Sequence, residues 1–177
     1  IVYAVYEQTG EIKWQFKTAW LSCAAVPLIH DNLVFVGFND RTAKWSGVLV
    51  ALDLDNGNKV WEIDLGEGQI CPETISAGLS DNIYLVGGNN LYSINYKTTE
   101  IEWKKNVVGL NDYRSPAPTV GQDGNLYICE TGKIVSIDGS SGNRIWEFDI
   151  TSQDIPIKEE RYITSVGAPI LDYNENL

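Results

Sequence analysis

Short apolar runs recur along the chain, each introduced by a cluster of turn-forming residues. Leu33–Val36, Ile83–Val86 and Leu126–Cys129 are the clearest runs, and His30–Asn32, Ser80–Asn82 and Gly121–Asn125 precede them. Asp, Asn and Gly tolerate the positive φ that tight hairpins require, so each cluster predicts a hairpin leading into a strand. A second pattern, strict alternation, follows further on. Trp61, Ile63 and Leu65 fall on one side of a strand while Glu62 and Asp64 fall on the other, and Trp146, Phe148 and Ile150 oppose Glu147 and Asp149 in the same way. A period of two is the signature of β-structure with one buried and one wet face. No segment carries the 3.6-residue period of a helix.

The two patterns belong to one repeat. Tryptophans at positions 14, 61, 103 and 146 are spaced 47, 42 and 43 residues apart. Each stands four residues after a turn residue: Gly10, Gly57, Thr99 and Gly142. Thr99 is the departure, and it predicts a turn that is strained or of another type. Between the tryptophans, Pro27, Pro72, Pro118 and Pro169 each open a stretch that leads to the next turn. Each period thus holds four short strands. Strand A follows the linker, B is the apolar run, C is a run such as Val50–Asp53, and D carries the tryptophan.

Four-stranded antiparallel units at this period predict an all-β fold, a β-propeller of four-stranded blades. A two-sheet sandwich would use a similar number of strands but gives no reason for a tryptophan at one place in every repeat. Between blades it has a reason, because the ring fills the gap to the next blade. The expected units are a partial blade of strands C and D at 1–17, blades at 18–65, 66–107 and 108–150, and the start of another at 151–177. That amounts to about three complete blades with partial blades at both ends. The chain contains no Met and opens inside a strand-like run, Ile1–Val5, and the last repeat stops at Asp172–Leu177, where an apolar run is due. Both ends read as cuts through a larger propeller, or as edges for self-association that completes one.

Charge and composition narrow the function. The net charge is -11, from 24 acidic against 13 basic residues, and the longest basic cluster is Lys104–Lys105. A nucleic-acid or anionic-membrane partner is therefore not expected, and no apolar run is long enough for a transmembrane segment. The three cysteines, Cys23, Cys71 and Cys129, form no CxxC pair, and His30 is the single histidine. No zinc site can be assembled from that set. Buried small hydrophobes are the expectation for the thiols, with a Cys23–Cys71 bridge between adjacent repeats as the alternative. His30 lies in a turn beside Asp31, where a solvated residue is expected rather than a general base. Asp53–Asn58 has the look of a calcium loop, but its place matches the C–D turn of every other repeat, so a plain hairpin turn is expected there.

The pattern Ala-x-Asp-x-x-x-Gly-x-x-x-Trp, clearest at Ala51, Asp53, Gly57 and Trp61 and again at Asp138, Gly142 and Trp146, resembles the pyrroloquinoline quinone (PQQ)-type propeller repeat, also called the tryptophan-docking motif. The resemblance covers nearly the whole chain. It is specific for the fold and says little about function. The family includes PQQ-dependent alcohol dehydrogenases and the outer-membrane assembly lipoprotein of the β-barrel insertion machinery, usually with seven or eight blades. Resemblance alone favours a periplasmic or extracellular protein.

Propeller connectivity places the A–B and C–D turns at one end of each blade and the D–A and B–C connections at the other. The second set varies in length and is the better place for recognition. It carries Trp20, Arg41, Trp45, Tyr113, Arg114, Arg161 and Tyr162, residue types enriched in interface hot spots; packing of the same rings along the rim is the competing expectation. The charged segment 151–161 reads as a lid or docking arm. The function expected is a non-catalytic scaffold binding a protein or other macromolecule through this face, with no cofactor. Two alternatives remain. One is a fragment of a PQQ-dependent dehydrogenase or quinone-binding protein, which the resemblance implies would carry PQQ above calcium. The other is the sensor domain of a signalling protein.

Overall fold

The computed structural model describes residues 1–22, 26–40, 46–67, 74–107, 117–130, 132–150 and 168–171. The chain divides into two compact units, Ile1–Pro72 and Glu73–Leu177. Every regular element among the described residues is a β-strand.

The first unit opens with an antiparallel hairpin, β1 (Val2–Val5) and β2 (Ile12–Phe16). Next come β3 (Leu21–Ser22), β4 (Leu28–His30), β5 (Leu33–Asp40), β6 (Ser46–Asp53) and β7 (Lys59–Asp64). They form one antiparallel sheet in the order β3-β5-β6-β7, with β4 also paired to β5. The β4–β5 turn places Asp31 and Asn32 at φ 46° and 59°, two successive left-handed residues of the kind a two-residue hairpin turn demands. His30 is therefore the last residue of β4, paired with Leu33 and half-buried, rather than a solvated turn residue.

The second unit contains two four-stranded sheets. One has the order β8 (Ile75–Ala77), β9 (Asn82–Gly87), β10 (Asn90–Asn95) and β11 (Glu100–Asn106). The other runs β12 (Thr119–Val120), β13 (Leu126–Glu130), β14 (Lys133–Ile137) and β15 (Arg144–Asp149). The inner strands β9 and β13 are buried on both faces, because each lies between neighbours within its sheet and packs through its surfaces as well. The outer strands are wetter. In β7, Trp61 and Ile63 are half-buried while Glu62 and Asp64 are exposed, as the alternation predicts. β15 departs from it, being exposed along its whole length.

One contact recurs in both units. In the first, the hairpin packs Trp14, with Val2, Ala4 and Phe16, onto Val34, Val36, Phe38, Val48, Val50 and Leu52 of the five-stranded sheet. The indole Nε1 of Trp14 donates to the Leu54 carbonyl at 2.8 Å, and the ring lies against Gly57 in the β6–β7 turn. In the second, Trp103 of β11 donates from Nε1 to the Gly139 carbonyl at 2.9 Å and lies against Gly142 in the β14–β15 turn. Around it Tyr84, Val86 and Leu91 meet Leu126, Ile128, Val135 and Ile137 of the next sheet. Tryptophan docking onto the following hairpin is thus observed twice, at equivalent positions.

The C–D hairpin is shaped for this contact. In all four copies the residue opposite the tryptophan is small: Ala4, Ala51, Ser93 and Ser136. In all four the register slips at the next pair, so that one extra residue (Lys13, Val60, Glu102 or Ile145) precedes the tryptophan. Such a bulge increases local twist and re-aims the side chain beside it. The turn itself is closed by an i to i+4 bond, from Gly10 N to Tyr6 O, Gly57 N to Asp53 O, Thr99 N to Asn95 O and Gly142 N to Asp138 O. Thr99 keeps the same turn as the glycines, at φ 64°, and so carries backbone strain that they do not.

Space as well as φ selects glycine at two of these turns. At Gly57 (φ 73°) a Cβ would lie 2.5 Å from Cε3 of Trp14, and at Gly142 (φ 68°) it would lie 2.8 Å from Cδ2 of Trp103. At Gly10 (φ 70°) a Cβ would meet nothing within 4 Å. Gly10→Ala is therefore expected to cost only the left-handed backbone term, about 1 kcal/mol. Gly57→Ala and Gly142→Ala add the overpacking of the indole and should cost about 3 kcal/mol. Chemical denaturation of the three variants checks this; equal losses would contradict the docking role of the turns.

Candidate functional site

The Asp of the repeat has a local task. Asp53 Oδ1 accepts from the N–H groups of Asp55 (2.9 Å) and Asn56 (3.0 Å), and Asn95 Oδ1 accepts from Lys97 (3.1 Å) and Thr98 (3.0 Å). Asp138 Oδ1 accepts from the N–H groups of Ser140 (3.0 Å) and Ser141 (2.8 Å) and from both of their hydroxyls. These bonds stabilise the carboxylate and hold the Asp138 pKa below its ordinary value, the Ser140 hydroxyl contributing most. Asp53–Asn58 is accordingly a hairpin turn capped by its own Asp, as expected, and its carboxylate faces its own backbone donors.

A polar hollow of about 440 Å³ lies in the second unit at the A–B and C–D turn end, lined by residues that include Asn82, Tyr84, Glu102, Asp123, Asp138 and Gly139. Asn82 donates from Nδ2 to Ser93 Oγ at 2.8 Å and to Glu102 Oε2. Tyr84 donates its hydroxyl to the Gly139 carbonyl at 3.2 Å, the same acceptor that Trp103 uses. Burial, followed by the charges of Glu102 and Asp138, pushes the Tyr84 phenol above its ordinary pKa, so it stays a neutral donor. The hollow is a hydrogen-bonded seam between two sheets. Its groups tie the sheets to each other.

The same seam exposes an imbalance. Ser136 occupies in β14 the place of Ser93 in β10, but Ile145 replaces Glu102, and Asn125, the counterpart of Asn82, donates instead to Asp123 at 2.5 Å. The Ser136 hydroxyl is buried without a partner among the described residues.

Of the residues expected at the recognition face, Trp20 is described. It is half-buried, its ring 5.9 Å from that of Phe38, and it packs onto the core of the first unit beside Phe16. Arg41, Trp45, Tyr113, Arg114, Arg161 and Tyr162, with the segment 151–161, lie outside the described residues. So do Cys23 and Cys71. Cys129 is a free, buried thiol in β13 whose pKa burial pushes up, the behaviour of a small hydrophobe. Among the described residues, no three His, Cys, Asp or Glu side chains stand together as a metal site.

Four-stranded antiparallel sheets, each carrying a tryptophan on its last strand, define a β-propeller repeat protein of the PQQ-like, scaffold-forming class. The chain belongs to the outer membrane protein assembly factor BamB family of PQQ-type repeats, whose model matches residues 1–176. It is 30% identical over 91 residues to outer membrane protein assembly factor BamB of Salmonella typhimurium, a match covering 47% of this chain and 22% of that relative. The chain thus spans less than a quarter of that relative's length. Among solved structures it is similar to BamB from Moraxella catarrhalis, with TM-score 0.60, 18% identity, and coverage of 79% of this chain and 40% of that one. It is also similar to a europium-containing methanol dehydrogenase, with TM-score 0.58, 16% identity, and coverage of 76% and 26%. At these identities the structural likeness concerns the fold. No helix among the described residues is long and apolar enough to cross a membrane.

The polar network of Asn82, Ser93 and Glu102 was not legible beforehand, because it depends on the bulge that turns Glu102 to the tryptophan's side. The constant four-residue step from turn residue to tryptophan was its one trace in the sequence. The two serines should respond oppositely to truncation. Ser93→Ala removes an acceptor from buried Asn82 and is expected to lower stability by about 1 kcal/mol, while Ser136→Ala removes an orphaned hydroxyl and should raise it by a similar amount. Denaturant midpoints at constant m-value test the pair; a loss in Ser136→Ala would refute the imbalance.

Proposed function

We propose that this chain is part of a non-catalytic propeller scaffold that binds a protein partner through its D–A and B–C connections. The site of action is the periplasm, in the assembly of outer-membrane proteins. The observation that carries this reading is the family match over residues 1–176. Local structure supports the choice of face. At the opposite end, Asp53, Asn95 and Asp138 spend their acceptor oxygens on their own turn backbones, which leaves little there to read a partner. The B–C connections are uneven, the one after β5 being longer than those after β9 and β13, and uneven loops on a rigid scaffold suit recognition. On this reading Trp20, Arg41, Trp45, Tyr113, Arg114, Arg161 and Tyr162, which belong to those connections in the sequence, supply the aromatic and guanidinium groups that meet the partner. Trp20 then contributes through its exposed edge, its inner face being taken up by Phe38.

A photo-crosslinking side chain placed at Trp45, Tyr113 or Tyr162 of the parent protein in its own cells should capture one discrete protein partner. The same probe at Asn56, Thr98 or Ser141 should capture none. Capture only from the turn positions would reverse the face. Saturable quenching of tryptophan fluorescence by PQQ with calcium would replace this reading by the quinone-binding one.

A further inference from the structure

The sequence contains a single Asn-Gly pair, Asn56-Gly57, and it falls at the turn that receives Trp14. The equivalent turns carry Thr9, Thr98 and Ser141 at the place of Asn56. Asparagine before glycine is open to a reaction that threonine and serine are not. The backbone nitrogen of the glycine can attack Cγ of the asparagine amide, and a glycine has no side chain to hinder that approach. Asn56 is exposed, whereas Gly57 is buried.

The folded turn holds this pair away from that reaction. The Gly57 N–H, which must lose its proton to attack, donates to the Asp53 carbonyl at 2.9 Å. Asn56 Oδ1 accepts from the Asn58 N–H at 2.8 Å, and the Asn56 N–H donates to Asp53 Oδ1 at 3.0 Å, so side chain and backbone of Asn56 are both tied. The indole of Trp14 closes the arrangement. It lies so near Gly57 that an added Cβ would come within 2.5 Å of Cε3, and its Nε1 donates to the Leu54 carbonyl at 2.8 Å. Lys13 on the same strand also reaches the turn, its Nζ 3.2 Å from Asp55 Oδ1. While the ring is seated, Gly57 has no room to swing its nitrogen toward Cγ.

We propose that Asn56 is a site of spontaneous deamidation gated by the docking of Trp14. When the β1–β2 hairpin lifts from the turn, the Gly57 nitrogen loses its proton and attacks Asn56 Cγ. The new N–C bond closes a succinimide ring, and the side-chain nitrogen takes up a proton and leaves as ammonia. Water then opens the ring at either carbonyl, giving aspartate or isoaspartate at position 56; nothing is oxidised or reduced. Both products add a carboxylate beside Asp53 and Asp55. Isoaspartate also lengthens the main chain by one methylene inside the turn, which breaks the geometry of the Gly57 N to Asp53 O bond. The modified turn receives the indole poorly, so a reversible undocking becomes a lasting one. The reaction lies within the first unit and is independent of what the loop face binds.

The test is peptide mapping by mass spectrometry, with isoaspartate read by enzymatic methylation, on purified protein held in mildly alkaline buffer. In the folded wild type Asn56 should deamidate at least about tenfold more slowly than in the urea-unfolded chain, since opening must precede attack. Trp14→Leu should recover most of that difference at Asn56, and Trp103→Leu, which removes the other docked ring, should not. A second measurement serves if Trp14→Leu does not fold. In wild type at urea concentrations below the unfolding transition, the Asn56 rate should rise in step with hydrogen exchange of the Gly57 N–H. Deamidation as fast in the folded as in the unfolded wild type, no acceleration in a folded Trp14→Leu, an equal acceleration in Trp103→Leu, or a rate indifferent to exchange at Gly57 would each overturn the proposal.

Discussion

The contact between an indole and a glycine turn organises this protein. A four-stranded sheet has two faces to bury, and a single sheet cannot bury both. In the two observed cases the repeat meets this by placing a large flat ring on the last strand of one unit and closing the receiving C–D turn with a glycine, which has no side chain in the way. Trp14 on Gly57 and Trp103 on Gly142 are the two observed cases. Each joins a dispersion contact to a directional one, the Nε1 bond to a turn carbonyl. The directional bond fixes the register of one hairpin on the next, which hydrophobic burial alone would leave loose.

The remaining features of the repeat serve that contact. A small residue opposite the ring gives it room, the bulge before it turns it toward the next hairpin, and the capping Asp or Asn holds the receiving turn in its left-handed conformation. A secondary staple runs along the A strands. Ser76 Oγ donates to the Pro118 carbonyl at 2.5 Å, and Thr119 Oγ1 makes the same bond to the Pro169 carbonyl. Pro169 therefore stands to the last described sheet as Pro118 stands to the one before it, although residues 168–171 form no strand.

Much of the architecture could be read in advance, because its physical causes are local. Turn residues with positive φ, apolar runs and a tryptophan at fixed phase each leave a mark in sequence, and strands B, C and D appeared where those marks lay. The exposure of β15 was not readable, since alternation reports which face could be buried and not whether a neighbour covers it. Thr99 was readable as an oddity but not as a residue that holds the glycine conformation at φ 64°. The Asn82–Ser93–Glu102 network and the orphaned Ser136 depend on cross-strand register after a bulge, which no spacing in one strand reveals. The candidate recognition residues depend on loops, whose conformations follow from long-range packing; only Trp20 among them has a described place, and there it packs inward against Phe38.

The central claim, that ring and glycine act as one unit, is tested most directly by a double-mutant cycle between Trp103→Leu and Gly142→Ala in equilibrium denaturation. If the indole is what forbids a side chain at position 142, the alanine should cost far less once the ring is gone. A coupling energy of about 2 kcal/mol is then expected. Additive losses, within about 0.5 kcal/mol, would mean that Gly142 is needed for backbone conformation alone and that the docking contact does not hold the sheets together.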